Sequence, residues 1–228
     1  MGLKKYKKEF KFTEHPRELE LPLHWKTPRK IFVNSMSDLF HEEATMEFIG
    51  RCFFTMMQAN WHTYQILTKR PKKMAEFSQL FSRYFGHEIP SHIWMGASVE
   101  NKDNVWRINE LKKVKCNIRF ISFEPLIGSI GKVNLKGIDW AIIGGESGYR
   151  FRPVKKEWIM EIIRQCRKQS VKVFFKQWGG IRAKSGGRMI NGRTYNEYPK
   201  MTESSKSQLN ELLLPKLVFR SKTVSKIR

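Results

Sequence analysis

Three glutamates follow short apolar runs of this chain at similar positions. In ASVE and ISFE a glutamate comes two residues after a serine, which gives Ser98 with Glu100 and Ser122 with Glu124. In GGES a third glutamate, Glu146, follows two glycines. Carboxylates that converge in a protein need cations, a metal ion or ligand amines as partners. The pattern favours a functional site over ordinary loop starts.

The stretch WAIIGGESGYRFRP contains the third glutamate and two arginines. Gly144 and Gly145 allow close approach of a ligand, or a positive φ, directly after a buried strand. No GK[ST] follows them and G-x-G-x-x-G is absent, so the stretch is neither a P-loop nor a dinucleotide fingerprint. Glu146 is therefore interpreted as an acceptor for a ligand hydroxyl or amine. Arg150 and Arg152 are candidates for bidentate binding of phosphate or carboxylate, with a plain turn as the alternative.

Polar residues also follow the other apolar runs. They offer hydroxyl, amide, carboxylate and cationic groups suited to a substrate, and Trp178 could stack on a base or adenine ring. The six histidines show no metal-ligand spacing, and no Ser-His-Asp order or nucleophile elbow is present. The additional candidates for substrate contact are Asn34, Ser35, Asp38, Lys69, Arg70, Gln177 and Trp178.

Six apolar runs must position these side chains. They begin near residues 31, 63, 92, 118, 139 and 172, at steps of 21 to 33 residues. Such steps are typical of βα units with parallel strands buried on both faces. We expect one α/β domain over residues 1–200, either a partial parallel (β/α) barrel of about six strands or a doubly wound sheet. In both architectures function lies at the carboxyl ends of the strands.

Helical patterns lie between several of these runs. EATMEFIGRCFFTMMQ is apolar nearly all round and is expected to be buried, whereas NKDNVWRINELKKV is amphipathic. Pro71 and Gly86 are start and stop signals for a third helix. The stripe predicted for this third helix is Met74, Phe77, Leu80, Phe81, Tyr84 and Phe85. The face predicted for a fourth helix is Trp158, Ile159, Ile162, Ile163 and Cys166.

The composition limits partners and compartment. With 43 Lys and Arg against 21 Asp and Glu, the formal net charge is +22, which attracts polyanions such as nucleic acid, although a merely solvated basic surface is the other interpretation. No apolar run reaches the length of a membrane span, and the basic segment MGLKKYKKEFKF is not expected to be a secretory signal because no apolar core follows it. Cys52, Cys116 and Cys166 are expected to be reduced core thiols in a cytoplasm. Residues 201–228 are expected to form a basic tail with a short helix.

Seven motifs occur in an order that resembles a known family. The motifs are IFVNSMSDLFHEE, YQILTKRPKKM, MGASVEN, ISFEPLIG, IIGGESG, FFKQWGG and NGRTYNEYP. They resemble a family of phage and bacterial proteins named after phage gene products 37 and 68, which is also classed as a domain of unknown function. The resemblance covers about Lys11 to Pro199.

Members of that family look like radical S-adenosylmethionine (SAM) enzymes. They carry an N-terminal motif ending in C-x-x-C-Y-A, suited to a [4Fe–4S] cluster, ahead of a partial parallel barrel. The resemblance implies that the strand-end residues of this chain line a SAM and substrate cavity, with Asn34, Ser35, Asp38, Lys69 and Arg70 on the substrate side. The residues expected, from their strand-end positions, to contact SAM or substrate are Ser98, Glu100, Ser122, Glu124, Gly144, Gly145 and Glu146.

This chain departs from the family pattern at its N-terminus. The cysteine motif is absent, and the three cysteines present have the wrong spacing to replace it, so the chain as given is not expected to bind the cluster. A late start assigned to the gene, an incomplete piece of the protein and a cluster-free descendant are the three explanations. The sequence thus supports the barrel part of a radical SAM-like enzyme that acts on nucleic acid or a nucleotide. The alternative is a non-catalytic basic nucleic-acid-binding protein.

Overall fold

A computed structural model of the chain describes residues 12–35, 37–182 and 185–200. The predicted tail at 201–228 lies outside the described residues. The strands are β1 (Lys30–Val33), β2 (Thr63–Thr68), β3 (Ile93–Ser98), β4 (Arg119–Phe123), β5 (Trp140–Gly144) and β6 (Lys172–Gln177). The helices are α1 (Leu21–His24), α2 (Met46–Gln58), α3 (Pro71–Phe85), α4 (Trp106–Lys112) and α5 (Lys156–Lys168). Short 3₁₀ turns cover Pro16–Glu18 and Lys102–Asn104.

The six strands form one sheet in the order β1-β2-β3-β4-β5-β6, and every neighbouring pair is parallel. The sheet curls into a half-barrel, which confirms the predicted partial barrel. The strand order never reverses, so the switch point of a doubly wound sheet is absent from the described sheet. The register is regular except for one irregularity between Ile143 and Gly144, opposite β6.

The helix ends follow the local signals in the sequence. Helix α3 has Pro71 as its first residue and ends before Gly86, whose φ of 76° places it in the left-handed region that glycine tolerates. Helix α2 is capped by Thr45, whose side chain accepts a hydrogen bond from the backbone N–H of Phe48. On α5 the predicted face is confirmed, because Ile159 and Cys166 are among its buried residues.

Two predictions about helix faces were wrong. Leu80 and Tyr84 of α3 are 49% and 67% exposed. At 3.6 residues per turn they lie at the margin of the buried stripe that runs through Met74 and Phe81. Helix α2 is buried on one side only, and its residues Glu47, Arg51 and Gln58 are exposed. A high apolar content therefore did not mean burial all round.

The core has two parts, one on each face of the sheet. The larger part joins the helices to one face, and the smaller part lies around Phe120 and Trp140 on the other, helix-free face, which none of the described helices covers. Phe120 packs over Gly96, where any Cβ would overlap its ring. Tyr198 lies against Trp140 with ring centroids 5.2 Å apart, and Lys30 Nζ lies 4.0 Å from the Tyr198 ring centroid. A later segment of the chain therefore covers part of the helix-free face.

Among the described residues, no helix combines the length and the apolar character needed to cross a bilayer.

Candidate functional site

The register of the sheet places the predicted serines and glutamates on one rim. Ser98 pairs with Ser122 across β3 and β4, so Glu100 and Glu124, two residues further along, follow at the same level. Both serines are buried, at 4% and 3% exposure. The rim at the carboxyl ends of the strands is therefore a closely packed layer of polar groups.

Glu100 is a buried carboxylate that two cations neutralise. It is 5% exposed, and Arg107 of α4 donates from Nη1 to its Oε2 at 2.9 Å and to the carbonyl of Ser98 at 3.0 Å. Lys69 Nζ lies 2.8 Å from Oε1, a close ion pair, although Oε1 makes no contact of hydrogen-bond geometry within the described residues. Because the Coulomb attraction dominates at that distance, we treat Lys69 as a partner.

Arg107 is a rim residue that the sequence pattern did not reveal. It lies on the polar side of an amphipathic helix, where a solvated cation is the default interpretation. Its position seven residues after Glu100 was the available signal, but only the fold turns its side chain back towards the rim. Buried Arg107 Nε has no hydrogen-bond partner among the described residues.

Glu124 takes its partners from β6. Lys176 donates to its Oε2 at 3.0 Å, and the Gln177 amide donates to its Oε1 at 3.4 Å. A Cβ at Gly144 would lie 2.9 Å from Glu124 Oε1, so the glycine leaves room for this carboxylate. Gly144 and Gly145 lack a positive φ. Close approach of other groups, and not an unusual backbone conformation, therefore explains why these positions are glycines.

Glu146 is held by Arg152. Both its oxygens accept hydrogen bonds from the guanidinium, at 2.8 and 2.7 Å, and the Arg152 backbone N–H donates to Oε2 at 2.8 Å. These bonds lower the pKa of Glu146 to about 2. Glu146 and Arg152 thus pair with each other within this chain, and their contact with a ligand stays a prediction. Arg150 is exposed on the same loop.

Gly145 and Trp178 pack against each other at the β5–β6 corner. A Cβ at Gly145 would overlap the Trp178 carbonyl, and the Gly145 N–H donates to the Gln177 carbonyl at 2.9 Å. The Trp178 indole N–H donates to the Met189 carbonyl at 2.8 Å, and its ring meets the edge of Phe175. The close approach that the glycine permits is thus between two segments of this chain, and Trp178 packs within the corner.

Asp38 joins the ends of β1 and β2. Its carboxylate accepts from the Thr68 hydroxyl at 2.7 Å, from the Lys69 N–H at 3.1 Å and from Arg70 Nη1 at 3.2 Å. It also accepts from the N–H of Phe40 at 2.9 Å. Thr68 is the buried last residue of β2, and this position brings its hydroxyl to the Asp38 carboxylate.

A cavity of about 610 Å³ lies beside β1, which pairs with β2 alone in the described sheet. The predicted substrate residues Asn34, Ser35 and Asp38 line it. Asn34 adopts a φ of 57° and donates its amide to the Ser37 hydroxyl at 2.9 Å. Aromatic rings form other parts of the wall: Phe12, Trp25, Phe32, Phe48 and Tyr64.

The structure therefore separates the predicted residues into two groups. Asn34, Ser35 and Asp38 line an open cavity, whereas the residues assigned to SAM on β3, β4 and β5 form the ion-paired rim. Asp38 and Lys69 connect the two, because Lys69 gives its N–H to Asp38 and its ammonium to Glu100.

The cysteines do not fit an iron–sulfur cluster. Cys52 lies on α2, Cys116 before β4 and Cys166 on α5, and all three are buried. Burial raises the pKa of each thiol to about 12, which opposes the thiolate that a metal requires. Among the residues that the structure describes, no three His, Cys, Asp or Glu side chains are grouped to hold a metal ion.

Comparison with known proteins places the chain in a family. Searches of curated proteins and of solved structures find no match. A family model described as "Protein of unknown function (DUF5131)" matches residues 1–199. That range contains the half-barrel, the rim and the cavity, and it agrees with the domain of unknown function that the sequence motifs indicated. The chain therefore belongs to the DUF5131 family.

Proposed function

We propose that this chain is the barrel part of a radical SAM-like protein and binds a nucleoside-bearing ligand, SAM or a nucleotide, in the 610 Å³ cavity beside β1. The observation that carries the proposal is the composition of that cavity at a strand end of a parallel half-barrel. Architectures of this kind bind their ligands at the carboxyl ends of the strands.

The cavity wall suits a molecule with a flat apolar part and a polar part. Its volume lies within the range of small-molecule sites, about 300–1,000 Å³. Phe12 and Phe32 offer ring faces or edges for a base. The amide of Asn34 and the hydroxyl of Ser35 are suited to ribose hydroxyls, and the Asp38 carboxylate is suited to an amine.

The rim lies outside the lining of this cavity and offers a separate place for an anionic group. Lys69 and Lys176 have side chains that are 59% and 53% exposed, so a bound carboxylate or phosphate can draw them away from Glu100 and Glu124. We propose that Ser98, Ser122 and Gly144 shape this rim. Glu146, with Arg152, forms the end of the rim beside β5. Arg150 and Gln177 stay assigned to substrate contact.

Radical SAM chemistry needs an iron–sulfur cluster bound by thiolates, and the three buried cysteines do not supply one. What the described residues offer is binding and orientation of the ligand.

Calorimetric titration of the full chain with SAM, S-adenosylhomocysteine and ATP tests this proposal. Asn34→Gly removes the amide but keeps a backbone that tolerates the positive φ, and we expect it to weaken binding about tenfold through loss of a ligand hydrogen bond. Asn191→Gly is the matched control, because Asn191 is exposed, has a φ of 51° and does not line the cavity.

A second variant tests the same cavity independently of Asn34→Gly. Phe32→Ala removes a wall ring that is 43% exposed and should also weaken binding. If none of the three ligands binds, or if Asn191→Gly weakens binding as much as Asn34→Gly, the proposal is wrong.

A second candidate function is nucleic-acid binding, and the charge of the chain favours it. The formal net charge of +22 gives a field that attracts polyanions. Fluorescence anisotropy with a labelled oligonucleotide, measured between about 50 and 300 mM salt, tests this function. Affinity should fall steeply with salt because phosphate contacts release counterions. Binding that is absent, or insensitive to salt, would rule the function out.

A further inference from the structure

A second cavity, of about 410 Å³, lies where the N-terminal ends of α2, α3 and α4 approach one another. We call it the basic slot. Its cations come from the segment between β2 and the first turn of α3, in the sequence KRPKK. Trp106, the first residue of α4, and Met46, the first residue of α2, supply its apolar wall. The rim residue Lys69 also lines the slot, which therefore adjoins the rim.

Trp106 is exposed to an unusual degree for a tryptophan in a concave site. It is 45% exposed, whereas Trp94 and Trp140 on the sheet are 3% and 2% exposed. Lys72 Nζ lies 5.5 Å from its ring centroid, and the Arg107 guanidinium lies 5.7 Å from it. An exposed indole flanked by two cations is a platform on which a nucleobase can stack while its phosphates meet positive charge.

The cations of the slot differ in how many hydrogen bonds and ion pairs they already make within the chain. Lys73 donates to the carbonyls of His41, Glu42 and Ala44, so it holds the loop before α2. Arg70 pairs with Asp38 and, at 3.5 Å, with Glu42. Lys69 and Lys72 remain as the exposed ammonium groups, and within the described part of the chain Lys69 pairs with Glu100 whereas Lys72 has no ion pair.

Two carboxylates, Glu42 and Glu76, also line the slot and are exposed. Four cations and these two carboxylates line the slot, and Asp38 and Glu100, which pair with Arg70 and Lys69, offset the remaining two positive charges. An anion therefore binds Lys72 or displaces Glu100 from Lys69. The indole contribution must accordingly be large for binding at this position.

We propose that the basic slot binds single-stranded nucleic acid, with one base stacked on Trp106 and the neighbouring phosphates on Lys69 and Lys72. The inference rests on the nucleic-acid candidate function and gives it a place on the molecule. A duplex does not fit this role, because its bases are stacked on each other and offer no free face to an indole. A phosphate that binds Lys69 competes with Glu100, so a strand in the slot reaches the rim.

Anisotropy of a labelled short oligothymidylate, with the full chain at low salt, tests the stacking. Trp106→Ala should weaken binding about 5- to 100-fold, the range for loss of one stacked base, and Trp106→Phe should restore most of the affinity. Trp61→Ala is the matched control, because Trp61 is 40% exposed and lines neither cavity. Circular dichroism of each variant checks that the chain is folded.

The salt dependence tests the phosphate contact separately. Lys72→Gln should lower the slope of log affinity against log salt by about 0.7, the value for one phosphate on a single strand. Lys136→Gln, an exposed lysine in the loop before β5, should leave the slope unchanged. Equal changes in both lysine variants would mean a diffuse charge effect and would overturn the assignment of a phosphate to Lys72.

The outcomes distinguish failure of the basic slot from failure of nucleic-acid binding as a whole. If the chain binds the oligonucleotide but Trp106→Ala binds as tightly as the original chain, the assignment of the binding site to the basic slot is wrong, whereas nucleic-acid binding itself is supported. Equal affinity for a duplex of the same length also overturns the single-strand assignment. If no oligonucleotide binds at low salt, the nucleic-acid function fails together with the slot.

Discussion

At the scale of single residues, the carboxylates of the rim obey one rule. Glu100, Glu124, Glu146 and Asp38 each follow a strand, and each has a cation of the same chain beside it. Burial of a carboxylate is costly unless it is paired and hydrogen-bonded. The spacing in the sequence indicated where these groups would gather and that they would need partners. Which cation would serve each of them depended on contacts between distant segments.

His92 gives a pH-dependent stability that can be measured. It is 4% exposed, its Nε2 lies 3.0 Å from the Met56 carbonyl, and its buried Nδ1 has no hydrogen-bond partner among the described residues. Burial lowers the pKa of His92 below its ordinary value of 6.5. The unfolded chain therefore binds more protons than the folded chain just below that pH. The stabilising effect of the neutral ring is fully present above about pH 6.5 and is lost as the pH falls towards the folded pKa.

Chemical denaturation between about pH 5 and 7.5 checks this expectation. The free energy of unfolding should fall with decreasing pH by up to about 1.4 kcal/mol per pH unit from this group. His92→Asn should remove that slope, whereas His24→Asn, at an exposed histidine, should keep it. If the slope persists in His92→Asn, another group is responsible.

At the scale of elements, the corner between β5 and β6 explains the GGESG motif. The Gly148 N–H donates to the Gly180 carbonyl, and the Gly180 N–H donates to the Glu146 carbonyl, both at 3.0 Å. Gly145 lies against the Trp178 carbonyl in the same corner. The glycines thus allow two loops to pair along their backbones. A sequence pattern that suits a ligand also suits such a corner, because both need a backbone without side chains.

Two glycine substitutions should have opposite effects on stability. Gly145→Ala forces its Cβ into the backbone of Trp178 and should lower the free energy of unfolding by about 2–4 kcal/mol. Gly50→Ala lies within α2, where a Cβ would meet nothing within 4 Å, and should raise it by up to about 1 kcal/mol. Urea denaturation measures both. A Gly145→Ala chain as stable as the original would show that the corner relaxes easily.

At the scale of the whole molecule, the cysteines belong to the core. Cys52, Cys116 and Cys166 account for all three thiols of the chain, and burial raises the pKa of each to about 12. Thiolates are the reactive form, so a thiol reagent should label the native chain very slowly and should label three thiols per chain in denaturant. Rapid labelling of a thiol in the native chain would contradict the burial. Incubation with iron and sulfide should likewise give no spectrum of a bound cluster.

The sequence by itself determined that parallel strands alternate with helices, whereas only the tertiary structure decided between a partial barrel and a doubly wound sheet. Short apolar runs at steps of 21 to 33 residues leave few solutions other than parallel strands with crossovers, and local signals such as Pro71 and Gly86 mark the ends of α3. These features are local, because they depend on chain spacing and on backbone preferences. The tertiary structure alone decided the return of Arg107 to Glu100, the burial of Ser98 and Ser122, and the cavity beside β1. Each of these depends on contacts between distant segments, whose geometry is fixed only when the sheet curls and the helices pack.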